Sequence, residues 1–413
     1  MFTWWDRLLG RPAIEQLASR VAQALQARGS APLSFDAAQR ELRTAETPPR
    51  IYYLGNVWSD YARAPRARRG EVVARFVEAM AAVEEALPAR YADARAHLMP
   101  VVRGAGEDDL ARLQARRSGA SADEVSRFHP ASRPLFGDLT VGVAYDTPHA
   151  IQRLSREQLV AWDVPLETAL ADALDNLRSL DETHGWVPLA HGLWSGQWGD
   201  DYESSRLLLP DLIHRLGVSD PVVLAPLRRL LLVTGAANLA GLAEMARVAR
   251  DALQEQPRWL SVTPMRLTDG GWTPFVPPPA CALAYAELAA IERAERYATQ
   301  KAALDDLHTQ DGTDVFVATL MLVRRPDGQP CEITTWTRGV ATWLPRADRV
   351  VLVDDHGGTQ DVDWDTLVAA CPDALEPLGM QPERYRTRAF PDGPVRGRPA
   401  APAAPEMLAR SGT

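Results

Sequence analysis

Apolar residues recur along this chain at two spacings, one typical of helices and the other typical of strands. Large apolar side chains stand three or four positions apart in residues 14–25 and 166–177, which predicts amphipathic helices. In residues 139–145 every second side chain is large and apolar, which predicts a strand, and the intervening Gly142 and Ala144 would let a helix approach its other face. There is no regular strand–helix–strand repeat. We therefore predict an α+β domain with a mixed or antiparallel sheet layered with helices.

Two local motifs add detail to the central part of the chain. Asn238 is a favourable N-cap for a helix that runs through Leu253. A hairpin is predicted to join residues 260–267 to residues 272–276. Because proline cannot donate to a central ladder, the proline in each of these strands predicts that they lie at a sheet edge.

Proline-rich and polar stretches divide the chain into segments. The triplet Pro277-Pro278-Pro279 is the clearest linker. Residues 104–127 are polar and poor in large apolar groups, so we expect a weakly stable helix or a mobile connection there. The predicted segments are an N-terminal helical α+β region at 1–130, a central α+β core at 131–279, a connecting helix at 280–310, a smaller mainly-β C-terminal module at 311–392, and a disordered tail at 393–413.

Tryptophan and glycine are concentrated at the start of a stretch from Gly192 to Gly217 in the predicted core. Trp194 and Trp198 are separated by an even number of positions, so in an unbroken strand both would face the same side. Large aromatic residues lie more often in a core or an interface than on a cofactor platform. Because tryptophan dominates binding hot spots, we favour burial of this pair in a protein–protein interface.

Charged residues follow these tryptophans and predict the start of a helix near Tyr202. Asp200 or Asp201 would accept free backbone N–H groups at that start and complement the positive end of the helix dipole. Ser205 and Arg206 would then lie in the first two turns, beside a possible anion site. An aspartate cap paired with an arginine is also a common structural arrangement, and we favour that interpretation. Pro210 would end or kink the helix.

The remaining candidates for function lie at the ends of strands. Asp146 ends the predicted strand of the core and, with Trp194, Trp198 and Tyr202, is a candidate binding residue. Asp354, Asp355 and His356 end a strand of the C-terminal module and are the best local candidates for a metal site, although a plain turn has the same composition. Common nucleotide, zinc-protease and serine-hydrolase motifs are not recognisable, and we predict no cofactor.

Composition narrows the classes of partner. The formal net charge of the 413 residues is −9, which disfavours general nucleic-acid binding. The three cysteines form no closely spaced pair, which favours a reducing compartment. No apolar run is long enough to span a bilayer, so we expect a cytoplasmic protein without a membrane partner.

Four blocks in residues 138–276 resemble the YtpQ-like family of uncharacterised bacterial proteins. They are DLTVGVAYDTP, LSREQLVAWDVPLETALADALDNL and GDDYESSRLL, followed by PVVLAPLRRLLLV. The third block in that family reads approximately Gly-Asp-Gly-Tyr-Asp-Ala-Ser-Arg-Leu-Leu, which Asp200, Tyr202, Ser205 and Arg206 match. Asp201, Glu203 and Ser204 depart from it. The resemblance implies a domain of unknown function, and residues after Pro279 would be an extra module.

These observations lead to two functional expectations. The first is a cytoplasmic interaction or regulatory protein of the YtpQ-like family, with an unidentified protein partner. The alternative is a hydrolase of an anionic substrate, in which Asp200, Asp201, Ser205 and Arg206 would be the catalytic candidates.

Overall fold

A computed structural model of the chain describes residues 13–37, 40–46, 51–82, 87–104, 106–127, 129–147, 151–180, 185–255, 259–269, 271–395 and 406–407. The chain forms two compact units. The first comprises Met1–Gly104 and Ser118–Phe275, and the second comprises Ala105–Arg117 and Val276–Thr413. Helices and mainly antiparallel sheets occur together in both units, which confirms the α+β prediction.

The helices are, in chain order, α1 (Ile14–Gln26), α2 (Gly55–Arg63), α3 (Arg69–Ala82), α4 (Tyr91–Ala94), α5 (Glu107–Arg117), α6 (Ala122–Arg127), α7 (Arg156–Ala161), α8 (Leu166–Ser179), α9 (Pro210–His214), α10 (Leu239–Glu255), α11 (Pro279–Asp311) and α12 (Trp364–Ala370). Short 3-10 helices occupy Arg66–Arg68, Arg95–His97, Ala190–Gly192 and Ser204–Leu208.

The strands are β1 (Leu33–Asp36), β2 (Glu41–Thr44), β3 (Ile51–Tyr53), β4 (Leu98–Gly104), β5 (Ser132–Phe136), β6 (Leu139–Asp146), β7 (Ile151–Arg153), β8 (Trp186–Pro188), β9 (Trp194–Gly196), β10 (Pro221–Leu227), β11 (Leu230–Gly235), β12 (Met265–Thr268), β13 (Gly271–Pro274), β14 (Phe316–Val317), β15 (Met321–Arg324), β16 (Pro330–Thr337), β17 (Thr342–Pro345), β18 (Arg349–Val353), β19 (Thr359–Asp363), β20 (Leu375–Pro377), β21 (Arg384–Thr387) and β22 (Glu406–Met407).

Two antiparallel sheets enclose the main core of the first unit. The larger has the strand order β13-β12-β10-β11-β9-β8, and the smaller has the order β4-β6-β5 with β7 on the free part of β6. Buried residues of both sheets share one cluster, in which Val102 and Leu139 of the smaller sheet join Val223 and Val233 of the larger. Leu207, from the segment that follows β9, is buried in the same cluster. The central stretch of the sequence therefore lies in the core of this unit.

Helix α8 covers the smaller sheet, as its apolar stripe predicts. Leu170 and Ala173 are buried in one cluster with Val141 and Val143 of β6. Gly142 has a different role from the one predicted, because a Cβ atom there would stand 2.8 Å from the carbonyl oxygen of Ala131. The small residue accommodates the neighbouring main chain rather than a helix.

The motifs predicted around α10 and the hairpin largely hold. The Asn238 side chain accepts a hydrogen bond from the backbone N–H of Gly241 at 3.0 Å, which confirms the N-cap. Strands β12 and β13 pair in antiparallel register from Met265–Pro274 to Thr268–Gly271. Of these two strands, β13 lies at the sheet edge as predicted, whereas β12 does not, because it also pairs with β10. Pro264 lies just before β12 and therefore outside its ladder.

The polar segment that we expected to be weakly structured contains α5, which belongs to the second unit. Helix α5 has mainly polar side chains and therefore no apolar stripe that would predict it. Ion pairs attach it to the long helix α11 instead. Arg116 approaches Asp311 at 3.1 Å, and the buried Arg117 pairs with Asp306. The predicted disordered tail lies largely outside the described residues. Val395, which we assigned to it, is buried in the core, and the Gln360 side chain bonds to its main chain.

A buried arginine connects the elements of the second unit. Arg384 on β21 donates to the Gln300 side chain at 2.7 Å and to the carbonyl oxygens of Ala318, Trp343 and Tyr297 at 2.9, 3.1 and 3.3 Å. Burial lowers the pKa of Arg384 to about 10. One guanidinium thus satisfies acceptors from a helix, a loop and a strand.

Arg384→Ala is therefore expected to destabilise the second unit strongly, because it leaves buried acceptors without a donor. The expected loss is about 3–5 kcal/mol, as for other broken buried charge networks. Arg386→Ala changes an exposed arginine on the same strand and should stay within about 0.5 kcal/mol of wild type. Urea denaturation followed by circular dichroism measures both. Equal losses in the two variants would contradict the role of Arg384.

Candidate functional site

Two glycines make the space for Trp198. A Cβ atom at Gly185 would stand 1.9 Å from Cε2 of the Trp198 indole, and one at Gly196 would stand 2.5 Å from its Cζ3. The edge of the indole also meets Trp186, with ring centroids 5.0 Å apart. Because β9 ends at Gly196, Trp194 and Trp198 do not share one strand face. Trp194 packs against the cluster between the sheets. Trp198 packs against a second cluster, which includes Leu177 and Tyr202.

The guanidinium of Arg206 lies under this indole and is fully buried. Its Cζ atom is 4.1 Å from the centroid of the Trp198 ring, a cation–π contact. Two hydrogen bonds, of 2.9 and 2.6 Å, join its terminal nitrogens to the two carboxylate oxygens of Asp200. Arg206 is 0% exposed, so an anion from solvent cannot reach it without breaking the pair.

The predicted helix start has a different geometry from the one expected. Asp200 Oδ1 accepts the backbone N–H of Tyr202 at 3.0 Å, but the helix that follows is only the short 3-10 helix Ser204–Leu208. The 3-10 helix ends at Leu208, and Pro210 then occupies the first position of α9, where a missing N–H costs nothing. A helix this short lacks the dipole that the anion-site hypothesis required.

Glu203 is a buried carboxyl that the sequence did not single out as functional. Its Oε1 accepts the backbone N–H of Gly199 at 2.8 Å, and its side chain is 3% exposed. Burial raises the pKa of Glu203, and the hydrogen bond from Gly199 acts against that rise. The two adjacent serines, Ser204 and Ser205, are buried as well. Every residue from Tyr202 to Leu207 is buried, a pattern that a polar sequence gives no means of anticipating.

Asp146, Asp200 and Asp201 come together at the end of β6, and we call these three residues the acidic rim. Burial raises the pKa of Asp146, and the charges of Asp201 and Asp200 act in the same direction. The nearby Tyr202 side chain lowers the same pKa, and His97 adds a weaker lowering. Burial and the charge of Asp146 in turn raise the pKa of Tyr202.

Arg229 joins the acidic rim to the N-terminal part of the first unit. Its Nε lies 2.9 Å from Asp201, and its Nη1 donates to Asp60 of α2 at 2.8 Å. Asp201 has a φ of 66°, a left-handed conformation that is uncommon for residues other than glycine. The ion pair with Arg229 helps to hold it there, with about half of its side chain exposed. These contacts orient Asp201 outward.

The metal candidates of the second unit form a hairpin turn between β18 and β19. The Asp354 carboxylate accepts the backbone N–H groups of His356 at 2.9 Å and Gly358 at 2.7 Å. These hydrogen bonds lower the pKa of Asp354. Asp355 lies 3.9 Å from Arg338. Among the residues that the structure describes, no group of three or more histidine, cysteine or acidic side chains is arranged to hold a metal ion.

Comparisons with protein-family models, curated proteins and solved structures find no match to this chain. The resemblance to the YtpQ-like family therefore remains a prediction. Within the described ranges, no helix combines the length and apolar character needed to cross a membrane.

Gly185→Ala should displace Trp198 and destabilise the first unit, because the new methyl group would overlap the indole. The expected cost is about 1–3 kcal/mol, as for other overpacked cores. The matched change Gly70→Ala places a methyl group in open space in α3 and should stabilise the chain by about 0.5–1 kcal/mol. Denaturation midpoints, together with tryptophan emission, report both effects. An unchanged midpoint in Gly185→Ala would refute the packing described.

Glu203→Gln should gain stability relative to wild type as the pH rises. The pKa of Glu203 is raised in the folded state, so its favourable contribution is complete below the unfolded pKa and is lost as the pH rises through the folded pKa. Glutamine keeps an acceptor for Gly199 and does not ionise. Glu157→Gln should show the opposite trend, because hydrogen bonds from its own backbone N–H and from the Ser155 side chain lower the pKa of Glu157. Unfolding free energies measured between pH 4 and 8 give the two slopes. Parallel slopes would count against this assignment.

Proposed function

We propose that this chain is a binding protein whose acidic rim receives a cationic segment of a protein partner. The observation that carries the proposal is the convergence of Asp146, Asp200 and Asp201 on one edge of the first unit. Like charges at close range raise one another's pKa, and a bound guanidinium or ammonium would relieve that repulsion. The proposed role agrees with the interaction function expected from the sequence.

Asp146 and Asp201 are the residues most available to a partner. No arginine in the described part of the chain forms an ion pair with Asp146, and the charge that lowers its pKa comes from His97. Asp201 is about half exposed and shares Arg229 with Asp60, so that one cation serves two carboxylates. Asp200 is engaged by Arg206 and acts mainly through its charge. A partner that supplies a cation would therefore complete an incomplete set of ion pairs.

The alternative, a hydrolase of an anionic substrate, has weaker support. Of its candidates, Ser205 and Arg206 are buried, and both carboxylate oxygens of Asp200 bind the guanidinium of Arg206. The raised pKa of Asp146 is the one observation in its favour, because general acids commonly have raised pKa values. A negatively charged rim would also repel an anionic substrate. Membership of the YtpQ-like family and a cytoplasmic location remain parts of this proposal.

The double variant Asp146→Asn/Asp201→Asn should bind a fluorescent arginine-rich peptide at least about tenfold more weakly than wild type, a loss of about 1.4 kcal/mol. Fluorescence anisotropy measures the affinity, and the affinity of wild type should fall as salt is added.

The matched control is Asp175→Asn/Asp211→Asn, which removes the same net charge from exposed positions of α8 and α9. It should bind like wild type. If both double variants weaken binding equally, the peptide responds only to the net charge of −9, and the rim is not the site. A partner recovered by pull-down should be lost with the rim variant alone.

A further inference from the structure

The second unit contains a cavity of about 340 Å³ that none of the predicted sites includes. This volume lies at the lower end of the range for small-molecule sites. One wall is formed by α11, and the others by β16, the turn between β15 and β16, and the connection between β17 and β18. The lining residues are Ala286, Ala289, Ala290, Arg293, Arg325, Gln329, Pro330, Glu332 and Asp348.

Small residues give the cavity its room. Ala286, Ala289 and Ala290 stand at positions i, i+3 and i+4 of α11 and therefore lie on one helix face. Pro330 on β16 contributes a further apolar surface. Together they form an apolar wall large enough for a short side chain.

The charges at one end of the cavity are already paired. Arg293 donates through Nε to Glu332 at 2.7 Å, and the Glu332 side chain is largely buried. The backbone N–H of Glu332 donates to Asp348 Oδ2 at 2.9 Å. This arrangement fixes the carboxylate of Asp348 at the edge of the cavity.

A second charge pair at the cavity, which also includes Asp348, is open. Arg325 and Asp348 are 3.8 Å apart, beyond hydrogen-bond distance, and each side chain is about half exposed. Arg325 is positioned by its contact with the Cys331 side chain. Both groups therefore keep hydrogen-bonding capacity toward the cavity. A pair of this kind presents one donor and one acceptor site side by side.

We propose that this cavity binds a small free α-amino acid with an apolar side chain. Such a molecule carries a carboxylate and an ammonium on the same carbon atom. The ligand carboxylate would pair with Arg325, and the ligand ammonium would pair with Asp348. The alanine face and Pro330 then take the side chain. A simple anion would meet the charges of Glu332 and Asp348, and a simple cation would meet those of Arg293 and Arg325. A zwitterion satisfies both signs.

Isothermal titration calorimetry of the full chain with alanine, valine and leucine tests this proposal. N-acetylated and amidated forms of the same amino acids remove one charge each and should bind at least about tenfold more weakly. Arg325→Gln and Asp348→Asn should cause losses of similar size. The asparagine keeps an acceptor for the Glu332 N–H. Arg386→Gln, which changes an exposed arginine outside the cavity, should leave binding unchanged.

Ala289→Leu provides a test that leaves every charge in place, because it fills the cavity from the helix side. It should abolish binding while circular dichroism confirms the wild-type fold. Absence of binding of all three amino acids at millimolar concentration would overturn the proposal. Equal binding of the acetylated amino acids would also overturn the proposal, because that result would indicate an anion site. Unchanged affinity in Arg325→Gln, Asp348→Asn and Ala289→Leu would overturn the proposal as well.

Discussion

The first unit depends on the burial of one arginine, Arg206. A guanidinium removed from water is costly unless its charge is matched, and the cost of leaving it unpaired reaches several kcal/mol. Asp200 matches the charge with two hydrogen bonds, and Trp198 covers one face of the group. The chain between them must turn sharply to bring a carboxylate, an indole and a guanidinium together. That requirement explains the positive φ of Gly199, a conformation that glycine adopts without strain.

The same pair decides which polar residues face solvent. Arg206 is fully buried, and its neighbours Glu203, Ser204 and Ser205 are buried with it. The Trp272 indole donates to the carbonyl oxygen of Leu207, and the backbone N–H of Ser204 donates to the carbonyl oxygen of Arg228. These two hydrogen bonds attach the 3-10 helix to the larger sheet. Asp201 lies on the opposite side of the turn and is directed outward. The acidic rim is thus a consequence of how the buried pair is built.

Sequence patterns predicted those elements whose defining features lie within a single helix, strand or cap. The alternation in β6, the apolar stripe of α8 and the Asn238 cap each depend on neighbours within one element, and each appears in the structure. The N-terminal helix of the second unit, α5, was expected only as a weakly stable helix or a mobile connection, because ion pairs with α11, far along the chain, replace an apolar stripe. The sequence located the candidate site in one stretch, but it did not predict that the residues of this stretch are buried. Burial of an arginine is decided by a partner and a covering ring, and neither has a fixed spacing in sequence.

Two charge pairs, Arg206–Asp200 in the first unit and Arg325–Asp348 in the second, show opposite outcomes for charges near a core. Arg206 and Asp200 are in direct contact, and desolvation makes their separation too costly for a ligand to compete. Arg325 and Asp348 stay half exposed and lie beyond hydrogen-bond distance, so little stability is lost when their contact is broken. A charge pair is therefore a better indicator of a binding site when it is incomplete than when it is buried. By that criterion Asp146 and Asp201 in the first unit, and Arg325 and Asp348 in the second, are more informative about function than the conspicuous buried arginine.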